Sequence, residues 1–265
     1  MKISFVGGGV MAEALIGGVL QARLSEPGDV SVGEPVEARR GYLEDKYGLR
    51  AHPTNAAALD GAELTVLAVK PQSLPDVLSG LRGDISEDNA VLSIVAGARM
   101  ATLVDGLDHA AVVRVMPNTP AQIGEGMSVW TAAPEVPEAK VTATRDILRT
   151  LGKEVYVPDE KLIDMATALS ASGPAYVYLF IESLIDAGVY LGMARDLART
   201  LVLQTVLGST KLVEDSGRHP ADLKDMVTSP GGTTVEALLT LEEGGFRASV
   251  MNAVIAAYEK SKALG

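Results

Sequence analysis

Lys2-Ile3-Ser4-Phe5-Val6-Gly7-Gly8-Gly9-Val10-Met11-Ala12 opens the chain and decides its fold. Lys2 to Val6 reads as a buried strand. The glycines follow at once, and then Ala14, Leu15, Ile16, Val19 and Leu20 recur with the spacing of a helix. Strand, glycine turn and helix in this order are the context in which G-x-G-x-x-A binds a dinucleotide. Gly7 makes the tight turn, Gly9 admits a pyrophosphate, and Ala12 lets the helix pack closely on the strand. Val6, Gly7, Gly8, Gly9, Val10 and Met11 are therefore candidate cofactor-binding residues. A plain strand-to-helix turn is the competing reading, and the position of the motif between strand and helix weighs against it.

Working outward, strand-like runs recur at Val30 to Gly33, Leu64 to Val69, Ala90 to Val95, Val112 to Met116, Met127 to Thr131 and Lys153 to Val157. Helix-like segments separate most of them, Ala139 to Thr150 among them, which implies a mainly parallel sheet covered by helices. Beyond Pro158 the pattern is helical with no convincing strand, so a second, all-helical domain of roughly one hundred residues is expected there. Ser172-Gly173-Pro174 reads as a helix restart with Ser172 as N-cap. Val177, Phe180, Ile181, Leu184 and Ile185 then make an apolar band too broad for a surface helix, and Leu197, Leu201, Val202, Val206 and Leu207 make another. Packing against a partner subunit would use such faces, as would burial within the chain.

The composition describes an ordinary globule of 265 residues, 47% hydrophobic and 22% charged. A net charge of −11 with no basic cluster argues against a nucleic-acid partner. Absence of cysteine removes disulfides, thiolate nucleophiles and cysteine metal sites. His52, in a loop, and His109 and His219, in linkers, do not cluster and read as surface or capping residues, so no metal is expected. The chain enters its first strand without a signal-type segment, and Leu162 to Leu191 is interrupted by Ser172, Gly173, Pro174, Glu182 and Asp186. The expectation is a cytoplasmic protein with no membrane span.

The group that reads the adenosine ribose normally ends the second strand, about twenty residues past the glycine turn. Here that group is Glu34, whose carboxylate suits a free 2′-hydroxyl and repels a 2′-phosphate. Arg39 and Arg40 favour the phosphate only if they fold back over it. Ala68-Val69-Lys70-Pro71 ends another strand on the cofactor side, with a solvated cation as the competing reading for Lys70.

Near the other terminus, Ser229-Pro230-Gly231-Gly232-Thr233-Thr234 runs into the helical pattern Val235, Leu238, Leu239. Such a helix start offers free N–H groups and a positive dipole end to a small carboxylate or phosphate. No lysine or histidine occurs between Leu162 and Thr210, so a conventional proton acceptor for an alcohol substrate is missing from the first helices of the second domain. Reduction of a protonated imine needs no strong protein acid, because the substrate brings its own charge and only hydride is delivered.

Together these stretches resemble pyrroline-5-carboxylate reductases. The resemblance rests on Phe5 to Ala12, Ala68 to Pro71, Arg114-Val115-Met116-Pro117-Asn118-Thr119-Pro120, Ser170-Ala171-Ser172-Gly173-Pro174-Ala175-Tyr176, Ser229 to Thr234 and Gly244 to Arg247. It implies an α/β fold: a Rossmann dinucleotide-binding domain at 1–158 and an all-helical dimerisation and substrate domain at 159–265, of the 6-phosphogluconate dehydrogenase C-terminal-like kind. It implies a homodimer, assembled further into a decamer of dimers, and NAD(P)H-dependent reduction of 1-pyrroline-5-carboxylate to L-proline. Carried over, the N–H groups of Gly232, Thr233 and Thr234 hold the substrate carboxylate, and the Thr234 hydroxyl, the catalytic group, meets the ring nitrogen. Glu160 lies near the substrate, where its charge favours the protonated imine, and Ser172 shapes the pocket. Val6 to Met11, Asn55, Ala68 to Pro71 and Ala96 contact the cofactor.

The bland alternatives are a mere helix-start residue for Thr234, a solvated acid for Glu160 and a cap for Asn55. Met116 to Pro120 reads as a stiff structural loop. Glu34 departs from the family, which usually offers a small polar residue beside basic neighbours that suit NADPH, so NADPH and NADH both stay open. Rival functions are a β-hydroxyacid dehydrogenase, disfavoured by the missing lysine, a reductase of the six-membered imine, and a non-catalytic nucleotide-binding dimer.

Overall fold

The computed structural model describes residues 1–264. Residues 1–172, joined by the chain from Ala257 onward, form one compact unit, and Gly173–Ala256 forms another.

The first unit is built on eight strands: β1 (Ile3–Val6), β2 (Val30–Gly33), β3 (Arg50–His52), β4 (Leu64–Leu67), β5 (Ala90–Ser93), β6 (Val112–Met116), β7 (Gly126–Ala132) and β8 (Gly152–Tyr156). They form one sheet in the order β3-β2-β1-β4-β5-β6-β7-β8. Every neighbouring pair is parallel except β6 with β7. The reversal of strand order across β1 and β4 makes the topological switch point, outside which ligands of doubly wound sheets bind. Strands β1, β4 and β5 are buried along their whole length, as expected of strands covered on both faces. Their side chains meet α1 (Val10–Gln21) on one side through Leu15, Ile16 and Val19.

Further helices are α2 (Glu37–Tyr47), α3 (Asn55–Ala58), α4 (Leu74–Leu81), α5 (Met100–Leu107) and α6 (Glu138–Arg149). Leu74, Leu78 and Leu81 of α4 and Leu103 and Leu107 of α5 fill a second core with Val6, Leu67 and Val91. Then α7 (Lys161–Ala166) runs through a π turn at Thr167–Ala171 into α8 (Gly173–Tyr190). Ser172 has helical dihedrals, and its N–H donates to Thr167 O at 2.9 Å. The expected restart is therefore a π-type join: backbone bonding continues past Ser172, so it is not an N-cap.

The second unit holds α8, α9 (Arg195–Ser216), α10 (Pro220–Met226), α11 (Thr233–Glu243) and most of α12 (Phe246–Leu264). Among the described residues no strand follows β8. Helices α8 and α9 approach closely where Gly188 faces Ala198, since a Cβ on Gly188 would lie 2.8 Å from that methyl group. Yet α8 has no buried residue: Val177, Leu179 and Phe180 are 46%, 65% and 41% exposed. Leu197, Leu201 and Leu207 on α9 are exposed too. Apolar bands left open on this scale mark an interaction surface.

Candidate dinucleotide and anion site

The loop between β1 and α1 stands at the C-terminal edge of the sheet. Gly7 has φ +96°, and a Cβ there would lie 2.8 Å from Ala68 O, so glycine is required for both conformation and space. Its N–H donates to Gly33 O at 2.8 Å, tying the turn to the end of β2. Gly9 is the N-cap of α1, is exposed, and has open space where a side chain would stand. An oxyanion can approach that backbone closely, at the positive end of a twelve-residue helix. Donors, space and dipole all fit a dinucleotide pyrophosphate.

Around this loop the structure gathers most of the residues expected to contact cofactor. Val6 is the buried end of β1, and Val10 and Met11 begin α1. Ala68 N donates to Val6 O at 2.9 Å, which seats Ala68, Val69, exposed Lys70 and Pro71 beside the turn. Asn55 opens α3 and abuts Gly33, where a Cβ would lie 2.6 Å from Asn55 Oδ1. The N-cap of α3 is Thr54, so Asn55 is not the cap. Ala96 lies in the loop after β5, next to Gly97 at φ +77°.

Glu34 follows β2 and turns back over the glycine loop. Its Oε2 accepts from Gly8 N at 3.0 Å, and Oε1 accepts from Val36 N at 2.9 Å. A carboxylate is thus fixed at the end of β2, beside the glycine loop. Arg40 Nη1 donates to Glu34 O and Pro35 O, both at 2.8 Å. Arg39 Nε donates to Gly8 O at 2.6 Å, and its Nη2 pairs with Glu13 Oε2 at 2.5 Å.

Glu13 also accepts from Lys46 Nζ at 2.8 Å and Tyr42 OH at 2.9 Å. Burial alone would raise its pKa, but the hydrogen bonds from Lys46, Arg39 and Tyr42 outweigh it and hold the carboxyl at about 2. Glu13 is not distinguished by any motif in the sequence. The available signal was a carboxylate in the first turn of α1, usual at a helix start but unusual beside an anion-binding loop.

Glu160 lies in the same unit, just before α7. Its Oε1 accepts from Arg114 Nη1 and from Met100 N, each at 2.7 Å. Arg114 Nη2 reaches Asp164 Oδ1 at 2.8 Å, and the arginine side chain is 3% exposed. Its partners were not legible in advance, because they lie 46 and 50 residues away. Asn118 holds the neighbouring loop: its Oδ1 accepts from Met127 N at 2.8 Å, and its Nδ2 donates to Ser170 O at 3.3 Å.

In the second unit, α11 begins at Thr233, as the sequence implies. Gly231 has φ +67° and Gly232 is the N-cap. The Gly232 N–H turns inward to Ser229 O at 3.0 Å, so of the three expected donors it is already engaged. Thr233 is exposed and Thr234 half-buried, in the first turn, where an α-helix leaves N–H groups without intrahelical acceptors.

The histidines depart from expectation in part. His52 is in β3, not a loop. His109 is buried, with Nε2 3.0 Å from Asn89 O. His219 does cap α10, accepting from Ala221 N at 3.2 Å. No cluster of metal-ligating side chains occurs among the described residues. Lys161–Tyr190 has the length and, with a mean hydropathy of 1.2, the composition of a span. The expected interruption at Ser172 to Pro174 is absent, but Glu182 and Asp186 remain, and Asp186 pairs with Arg195 at 2.9 Å.

A family model described as pyrroline-5-carboxylate reductase dimerisation matches residues 160–264, and one described as NADP oxidoreductase, coenzyme F420-dependent, matches residues 2–97. The chain is 43% identical to the pyrroline-5-carboxylate reductase of Synechocystis sp. over 265 residues, covering 100% of this chain and 98% of that protein. It is 42% identical to the enzyme of Methanosarcina acetivorans with the same coverage. The crystal structure of a Plasmodium falciparum pyrroline carboxylate reductase with NADP bound superposes with a TM-score of 0.91 at 37% identity, covering 100% of this chain and 98% of that one.

Proposed function

The chain belongs to the pyrroline-5-carboxylate reductase family, and from that premise we infer that it reduces 1-pyrroline-5-carboxylate to L-proline, the last step of proline biosynthesis. The observation that carries this reading is kinship over the whole length, 43% identity across 265 residues. The bound dinucleotide supplies hydride to the C=N carbon. The division of labour we propose falls at residues 1–158, which hold the nucleotide, and 159–265, which hold substrate and partner.

The chain's own residues do the rest. N–H groups of the glycine loop at Gly9 and Val10 hold the pyrophosphate, and Met11, Asn55, Ala68 to Pro71 and Ala96 border the cofactor. Thr233 and Thr234 offer first-turn N–H groups to the substrate carboxylate, with Gly231 and Gly232 shaping the turn. The Thr234 hydroxyl holds the proton side of the ring nitrogen. Ser172 borders the substrate. Glu160 adds negative charge that favours a cationic imine, in competition with Arg114, which already pairs with it at 2.7 Å. No side chain has to act as a strong acid, because the imine arrives protonated.

The preferred cofactor we propose is NADH. Glu34 is held at the ribose end by Gly8 and Val36, where a carboxylate accepts from a 2′-hydroxyl and repels a 2′-phosphate. The open apolar faces of α8 and α9, with those of Lys161–Tyr190, meet a second copy of the chain rather than a bilayer, giving a cytoplasmic homodimer that assembles further into a decamer of dimers. Sedimentation of the purified protein tests this, and a monomer at micromolar concentration would overturn it.

The test of function is oxidation of NADH and NADPH in parallel with 1-pyrroline-5-carboxylate, coupled to measured L-proline. Proline formed with NADH favoured is expected. No turnover while nucleotide still binds would point to the six-membered imine or to a non-catalytic dimer.

A further inference from the structure

We propose that Arg39, held by Glu13, is a positioning residue that aims the glycine loop's N–H groups at the pyrophosphate, rather than a reader of the ribose phosphate. This rests on the nucleotide reading of that loop. The guanidinium of Arg39 reaches across from α2, with Nε donating to Gly8 O at 2.6 Å and Nη2 directed to Gly9 O at 3.4 Å. In a planar trans peptide the carbonyl and the following N–H point in opposite directions. Fixing Gly8 O therefore fixes the N–H of Gly9, while Gly9 O, and with it the N–H of Val10, is already set by Glu13 N at 2.9 Å in the first bond of α1. Glu34 takes the N–H of Gly8 at 3.0 Å, so consecutive peptide groups of the loop are held from two sides. Gly8 and Gly9 are otherwise the residues least able to hold a backbone direction by themselves.

Glu13 completes the device. It receives Arg39, Lys46 Nζ at 2.8 Å, Tyr42 OH at 2.9 Å and Tyr47 OH at 3.2 Å on one carboxylate whose side chain is 17% exposed. Arg39 stacks at 4.9 Å over the ring of Tyr42, which limits its swing. An unpaired carboxylate in the first turn of α1 would repel the pyrophosphate, and Arg39 and Lys46 neutralise it. The fork of Arg39 is spent on Gly8, Gly9 and Glu13, which leaves a poor anion hook and a good strut.

The test compares wild type with Arg39→Ala, Arg39→Lys and Glu13→Gln, measuring KM for NADH, Kd for NADH by fluorescence, kcat, KM for 1-pyrroline-5-carboxylate and Tm. Arg39→Ala should raise KM and Kd for NADH about tenfold, the scale of one lost charge-assisted hydrogen bond. The kcat at saturating NADH and KM for the imine should stay within about twofold, because only nucleotide binding is touched. Arg39→Lys, which keeps the charge but not the fork, should recover part of the affinity. Glu13→Gln loosens the strut but also removes a negative charge near the pyrophosphate, so it is read through Tm alone; Arg39→Lys should still bind NADH more weakly than wild type because it loses the fork, which decides the matter if Arg39→Ala does not fold. An unchanged KM for NADH in a folded variant overturns the proposal and leaves the loop assignment standing. Wild type that binds neither NADH nor NADPH overturns the loop assignment itself.

Discussion

Arg114 Nη1 stands 2.7 Å from Glu160 Oε1 while its Nη2 stands 2.8 Å from Asp164 Oδ1, so one buried guanidinium joins β6 to both ends of the first turn of α7. Ser261 Oγ, near the end of α12, lies 3.5 Å from the same Asp164 oxygen. Removing the arginine would leave Glu160, whose side chain is 35% exposed, and Asp164, whose side chain is 16% exposed, side by side without their cation. Breaking a fully buried pair costs about 3–5 kcal/mol, and the partial exposure of Glu160 puts this case below that range. Arg114→Met should lower the urea midpoint accordingly. Glu160→Gln, by contrast, keeps a polar acceptor for Met100 N–H and should cost less stability. If Glu160 favours the cationic imine, that variant loses kcat/KM for substrate while its KM for NADH holds. Equal changes in both would deny Glu160 a substrate role.

Thr234 is half-buried in the first turn of α11, two residues past the N-cap Gly232. Thr234→Ala removes the hydroxyl but keeps the N–H, so the carboxylate socket survives and the ring-nitrogen contact does not. Turnover should fall by about 10–10²-fold, the scale of one lost hydrogen bond from a charged N–H to a positioned acceptor. Kd for NADH should be unchanged in the same protein. Parallel losses in turnover and NADH binding would sink the assignment of the hydroxyl to the substrate.

Much of this arrangement was legible because it is local. The β1 strand, the glycine turn and the start of α11 each lie within a dozen residues whose pattern speaks for itself. Strand β3 was not, since Arg50-Ala51-His52 shows neither alternation nor an apolar run and is a strand only because it pairs with Ser31, Val32 and Gly33. The π join at Ser172 escaped because Ser-Gly-Pro usually marks a break, and here the backbone bonds slip by one residue instead of ending. Sequence offers Arg39 to a 2′-phosphate, but its actual partners, Gly8 and Glu13, are set by how α2 packs beside α1. Such tertiary contacts leave no trace in spacing. The apolar bands of α8 and α9 are visible in sequence, and their exposure within one chain is a property of the fold.

Glu34 donates nothing and accepts twice, from Gly8 N at 3.0 Å and Val36 N at 2.9 Å. Glu34→Ser removes a negative charge from the ribose end and frees room for a phosphate beside Arg40. The ratio of kcat/KM for NADPH to that for NADH should rise by about tenfold, as expected when roughly 1.4 kcal/mol of differential repulsion is lifted. Some of the gain will be offset, because Gly8 N–H loses its acceptor and the loop is less well held. An unchanged ratio, with both cofactors weakened alike, would make Glu34 a loop strut alone.

Glu13 gives the fold an acid limb. Its carboxyl falls from a usual 4.5 to about 2: burial acts against the charge, and hydrogen bonds from Lys46, Arg39 and Tyr42 overcome it. A depressed folded-state pKa means that the unfolded chain takes up the proton first as pH falls. The stabilisation is then complete above about pH 4.5 and lost progressively toward pH 2. The groups facing the carboxylate are Arg39, Lys46, Tyr42 and Tyr47; the hydrogen bond to Glu13 pushes Lys46 up and burial pushes Tyr47 up, both away from this window, so Glu13 itself is what titrates. Glu13→Gln should lower Tm at pH 7 by about 2–4 °C, the shift that about 1 kcal/mol produces in a chain of this size. At pH 3 the gap between variant and wild type should narrow, because wild type has by then lost part of what the substitution removes. Melting curves by circular dichroism at both pH values check this, and a gap that stays constant would mean that the Glu13 carboxyl titrates alike in the folded and unfolded chain.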